Sequence, residues 1–185
     1  MKILFTFIIL TIGFTVSAQI ATSGTTNSGT NASAIGFNTT ASNTVSTAMG
    51  RETLASGVTS TAMGYQTSAT NTASTAIGNN STASGITSTA IGNNSTASGE
   101  TSIAMGFETE ATHSASLAMG YQTSSTEGAS SAMGFKTTAS GFGSTSIGYE
   151  TVASGNSSTA MGWLTTANGK ASIAMGKSTI ASDFG

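Results

Sequence analysis

Ser60-Thr61-Ala62-Met63-Gly64-Tyr65 returns fourteen residues later as Ser74-Thr75-Ala76-Ile77-Gly78-Asn79, and again as Ser88-Thr89-Ala90-Ile91-Gly92-Asn93. Worked outward from there, Gly recurs at 36, 50, 64, 78, 92, 106, 120, 134, 148, 162 and 176, always 14 residues apart and without a slip. The residue before it is Ile or Met in every copy, and two before it is Ala except at Ser146. Four before it is Ser except at Ala32, three after it is Thr or Ser, and five after it is Ala except at Ser125. Seven after it, Gly occupies 57, 85, 99, 141, 155 and 169, with Asn43, Asn71, His113, Glu127 and Asp183 elsewhere. The unit reads G-x-x-T-x-A-S-G-x-x-S-x-A-[MI] over eleven copies.

A fixed short period is the mark of a repeat architecture. Fourteen residues are too few for a helical hairpin, and one or two Gly per unit would cost a helix about 1 kcal/mol each. The unit suits a coil of two short strands and two turns, with each Gly expected to mark a turn. Ser-x-Ala-[MI]-Gly alternates with the period of a strand: Ser and Ala on one face, Met or Ile and the residue two before it on the other. Thr-x-Ala-Ser-Gly again puts small residues on one parity. Coils stacked as parallel strands about 4.8 Å apart give an all-β solenoid roughly 50 Å long with room inside for small side chains only.

Two placements are open for the Met/Ile column. If Met49, Met63, Ile77, Ile91, Met105, Met119, Met133, Ile147, Met161 and Met175 point outward, with Ile35 they form one apolar stripe along the rod. Soluble monomers rarely expose such a patch, so a symmetric homo-oligomer burying it is expected. If the column instead fills the coil, the rod can be monomeric.

The composition narrows function. Only 6% of the 185 residues are charged, against about 25% in ordinary soluble domains. Five Lys and Arg against seven Asp and Glu leave no basic footprint for nucleic acid. With 37% apolar residues and a formal charge of −2, ordinary disorder is disfavoured. The absence of Cys removes disulfides, thiolate metal sites and cysteine nucleophiles. The chain opens with Lys2, an apolar run from Ile3 to Phe14 and Val16-Ser17-Ala18, the pattern of a signal peptide over 1–18 with Gln19 first in the mature chain. A transmembrane anchor is the alternative, but the run is short of the ~20 residues a span needs. The mature chain is therefore expected to be exported, with no membrane span. Residues 19–35 read as a degenerate N-terminal coil, and 36–185 as eleven repeats, the last incomplete.

The repeats resemble the head repeats of trimeric autotransporter adhesins of the YadA type. Ser60 to Tyr65 and Ser74 to Asn79 match their S-x-A-x-G half, and Thr82-Ala83-Ser84-Gly85 is similar to their second half. The resemblance spans about 22–185. It implies a left-handed parallel β-roll, a homotrimer around one axis, a place at the cell surface or outer membrane or in the secreted fraction, and attachment to host matrix protein or glycan. Such adhesins usually continue into a neck, a heptad stalk and a β-barrel anchor. No heptads or alternating barrel strands occur in these 185 residues, so a head segment, or a head attached by other means, is expected. Related repeats also occur in phage tail fibres, a reading the signal peptide disfavours.

No catalytic constellation is evident, and neither enzyme activity nor a cofactor is expected. His113 is the only imidazole and stands at a turn. Glu52, Glu108 and Glu150 share a column that other copies fill with Gln, Asn, Lys136 or Leu164. Glu108 and Glu110 could touch a cation, though solvated surface is the expected state; no metal site is assigned. Two columns invite a functional reading. The residue after the Gly is aromatic at Phe37, Tyr65, Phe107, Tyr121, Phe135, Tyr149 and Trp163. It reads as an edge stack, or as a ligand-facing column running from Tyr65 to Trp163. Thr three after the Gly would suit an ice-binding array if it pointed outward, but it shares parity with the interior Ala. The expected function is a non-enzymatic adhesin head binding by multivalent contact, with an ice-binding solenoid or a passive fibre shaft as alternatives.

Overall fold

A computed structural model describes residues 23–182; the expected signal peptide, and Asp183 with its expected turn position, lie outside them. Among the described residues, 12 two-residue strands alternate with 11 five-residue strands, and there is no helix. Each family forms its own parallel sheet, ordered along the chain. A residue pairs with its equivalent 14 positions on, as in Ala62↔Ala76, Met63↔Ile77 and Gly64↔Gly78. The fold is a parallel β-solenoid whose register repeats the sequence period. The irregular first coil joins in the same way, Thr26 pairing with Thr40 and Ser33 with Thr47.

The long strand, for example Thr61–Tyr65, begins one residue later than the alternation suggests, and the second is only the pair Ser68–Ala69. Inward columns are Ala on both strands and Ser and Thr beside them. Ala48 and Ala55 are fully buried, as are Ser46 and Thr39. The largest fully buried side chains of the rod are threonines. A cross-section this narrow cannot hold Met or Ile, and that column lies on the outer face of the long strands. Where Ser replaces the interior Ala, its hydroxyl finds a neighbour: Ser125 Oγ lies 2.6 Å from Ser130 Oγ, and Ser146 Oγ 2.7 Å from Thr151 Oγ1.

Two turns close each coil; the second glycine column stands at one of them, as expected, but the strand glycine stands at neither. Gly64 is the fourth residue of its strand, at φ 127°, and a Cβ there would run into the Gly78 carbonyl oxygen of the next coil. Its role is close approach of stacked backbone rather than reversal of the chain. Gly57 opens the Gly57–Ser60 turn, where the Ser60 N–H donates to the Gly57 carbonyl at 3.2 Å. The left-handed residue of that turn is Thr59, at φ 55°. At the other corner it is Gln66, at φ 51°. A left-handed conformation costs a side-chain-bearing residue about 1–2 kcal/mol. Here a cross-coil bond offsets it: Gln66 N–H to the Arg51 carbonyl and Thr59 N–H to the Thr44 carbonyl, both 2.9 Å. The turn also explains why Ser recurs four before the strand Gly. Ser60 Oγ donates to the Gly57 carbonyl at 2.8 Å, and Ser88 Oγ to Gly85 likewise at 2.8 Å.

Candidate functional surface

With the interior filled by Ala, Ser and Thr, chemistry is confined to outward columns. The Met/Ile column runs in unbroken register from Ile35 to Met175. Met49 is 37% exposed and Met119 36%, while Met63, Ile77, Ile91, Met105, Met133, Ile147 and Met161 are half-buried. Beside them on the same face lies the column of Thr47, Thr61, Thr75 and Thr89, which turns apolar at Ile103 and Leu117. At Ile103–Met119 both columns are apolar.

The residue after that Gly ends the long strand, as at Tyr65 and Phe107, and carries the aromatic column. Phe107, Tyr121, Phe135, Tyr149 and Trp163 stack with ring centroids 4.9, 5.0, 4.9 and 3.9 Å apart and ring planes within 7°. The first three spacings are those of the coils, so parallel stacking follows from register, and Trp163 leans closer onto Tyr149. Tyr65 does not belong to this stack. Asn79 and Asn93 stand between it and Phe107, and its ring instead carries the Arg51 guanidinium at 5.4 Å, which also lies 5.8 Å from the Phe37 ring. The signal for this cation–π sandwich is Arg51 standing 14 residues from both Phe37 and Tyr65.

The next column is the left-handed corner. Glu52 receives a hydrogen bond from Gln66 Nε2 at 2.9 Å and pairs with Arg51 Nε at 3.1 Å. Glu108 receives one from Gln122 Nε2 at 2.7 Å, and Asn80 Nδ2 donates to Asn94 Oδ1 at 2.9 Å. Reading only the carboxylates missed these amide partners, although the equal 14-residue offset exposes them. Glu150 sits beside Tyr149, whose phenol is pushed above its ordinary range by partial burial, then by the Glu150 charge and a hydrogen bond to that carboxylate. Glu52, Glu108 and Glu150 are at least three coils from one another and do not converge. His113 lies on an exposed turn, its Nδ1 3.2 Å from Thr112 Oγ1. Glu110 faces outward from the short strand Glu110–Ala111. Among the described residues no three His, Cys, Asp or Glu side chains group as metal ligands, and no helix is long and apolar enough to cross a membrane.

The Thr column three after the Gly points inward. Thr39, Thr53, Thr67, Thr109, Thr123, Thr137, Thr151 and Thr165 are at most 1% exposed, so it offers no array to ice.

The YadA head domain repeat, described as two copies per match, is matched by residues 28–53, 55–81, 83–109 and 139–165, together more than half of the chain. Residues 110–138 lie between the matches and continue the same coils. No curated protein matches the chain in sequence.

Proposed function

The chain belongs to the YadA head domain repeat family, and from that premise we propose that it is the head of a homotrimeric adhesin, exported by an N-terminal signal peptide and displayed at the cell surface. The observation that carries the reading is the in-register Met/Ile stripe on the outer face of the long strands. A stripe of that length on a soluble rod calls for a covering surface, and three copies around one axis cover it symmetrically. The interface comprises Met49, Met63, Ile77, Ile91, Met105, Met119, Met133, Ile147, Met161 and Met175, with its most apolar stretch at Ile103–Met119.

Attachment then proceeds by repetition rather than from a deep pocket. Three identical edges, each with a stacked aromatic column and amide ladders, meet a matrix protein or a glycan-coated surface at many weak points, and avidity supplies the strength. The function needs no bond-making chemistry. The test is retention of beads coated with the purified protein on immobilised matrix proteins and glycans. The trimer should be retained, and a Met119→Asp variant should lose retention along with assembly, because an unpaired charge would be buried on the axis. A protein that assembles yet is retained on no surface would be a passive shaft.

A further inference from the structure

The aromatic edge is interrupted at one place, and a second feature lies at the same height on the rod. Tyr65 pairs in register with Asn79, Asn79 with Asn93, and Asn93 with Phe107. One face of Tyr65 is covered by Arg51, and one face of Phe107 by Tyr121. Their other faces look toward one another along the rod, across two coils that carry only short amides. Three coil spacings set the rings about 14 Å apart. The adjoining corner column supplies the exposed amides of Asn80 and Asn94. At the level of Asn93 and Phe107, a neighbouring depression of about 230 Å³ is lined by Asn94, Thr96, Glu108, Thr109 and Glu110.

We propose that this notch is a binding site for neutral carbohydrate. It rests on the adhesin reading and names the ligand class and the residues. A pyranose has an apolar C–H face and a rim of hydroxyls that each donate and accept. It calls for an aromatic face beside groups that do both, and an Asn amide is such a group. Tyr65 and Phe107 each have one face on which no ring stacks, only the shorter side chain of Asn79 or Asn93, and Asn79, Asn93 and Asn94 supply donors and acceptors between them. Glu108 and Glu110 accept from hydroxyls and repel sialylated or sulfated sugars. An apolar peptide would find an amide floor here, and the uninterrupted stack from Tyr121 to Tyr149 has both faces of every ring occupied by neighbours.

The test applies the assembled protein to an array of neutral, sialylated and sulfated oligosaccharides. Neutral glycans should be retained and anionic ones not. Asn93→Tyr, which fills the notch with a ring, should lower retention at least tenfold while the assembly sediments unchanged. Tyr65→Ala should do the same, whereas Phe142→Ala, at an exposed ring outside that column, should leave retention as it was. Retention of no neutral glycan, or retention unaltered by Asn93→Tyr, overturns the proposal. Surface attachment measured in parallel separates the two readings. Attachment that survives Asn93→Tyr with neutral-glycan retention unaltered overturns the notch and leaves the adhesin standing, and no attachment by the unaltered protein overturns the adhesin itself.

Discussion

The coils around Asn79 and Asn93 and those from Phe107 to Trp163 share one backbone and one register, yet present opposite surfaces. Inside, both are lined by fully buried Ala, as at Ala90 and Ala118. Outside, the first shows a ladder of amides and the second a stack of five rings. The contrast teaches that the narrow interior and the approach of Gly to Gly dictate the coil, while the corner is free to vary. Cross-coil pairs of either chemistry are compatible with the same 14-residue repeat, so the corner is where one head can differ from another.

The interiors differ in one respect. In the amide coils, Ser81 Oγ donates to the Gly92 carbonyl at 3.1 Å and Ser95 Oγ to Gly106 at 3.0 Å. In the aromatic coils, Thr123 and Thr137 hold buried hydroxyls without a partner, as do Thr39, Thr53 and Thr67 nearer the N-terminus. Thr109 is intermediate, its Oγ1 donating to Ser95 Oγ at 2.9 Å.

The largest expected effect should be blind to the contrast. Gly92→Ala and Gly120→Ala each force a Cβ into the carbonyl of the next strand Gly at a φ near 130°. Strain and overpacking together should cost upwards of about 3 kcal/mol in denaturant unfolding, equally in the two regions. A markedly smaller loss at Gly92 would mean that the amide coils are not held by the same close approach. Tyr121→Ala comes next. It removes a half-exposed ring and two stacking partners, at a cost of about 1–3 kcal/mol, whereas Asn93→Ala should stay within about 0.5 kcal/mol. Equal losses would show that the ring stack adds nothing to the rod.

A subtler pair sharpens the interior difference. Ser95→Ala gives up the bond to Gly106 and strands the Thr109 hydroxyl, so it should destabilise by about 1–2 kcal/mol, while Thr123→Val should be neutral or stabilising because no hydrogen bond is lost. Destabilisation by Thr123→Val would mean that its hydroxyl has a partner in solution. The smallest effect belongs to the aromatic side alone. Tyr149 should ionise above the ordinary tyrosine range in an ultraviolet difference titration, and Glu150→Gln should bring it down. Because the folded value is raised, the stabilisation is fully present below the unfolded value and is lost as pH rises through the folded one. A titration unmoved by Glu150→Gln would remove the carboxylate as a cause.

Much of this was legible in the sequence because a period of fourteen ties each residue to its stacked equivalent. The inward parity of Thr39 and Ala41, the outward parity of Met49 and the aromatic stack all follow from that offset. What could not be read depends on three-dimensional closure. Thr59, Ala73 and Gln66 hold left-handed conformations that their residue types do not announce, and cross-coil hydrogen bonds impose them. Gly64 was expected at a turn, but its requirement comes from a neighbouring chain segment 14 residues away. The notch was obscured because the corner column was read for its aromatics rather than for where Asn79 and Asn93 interrupt them.

In a trimer, two further copies of the chain cover the Met/Ile stripe of the first. Light-scattering mass of the purified mature protein tests this arrangement most directly. Three chain masses are expected, falling to one on Met119→Asp. A single chain mass for the unaltered protein, or a trimer that persists in Met119→Asp, would contradict it.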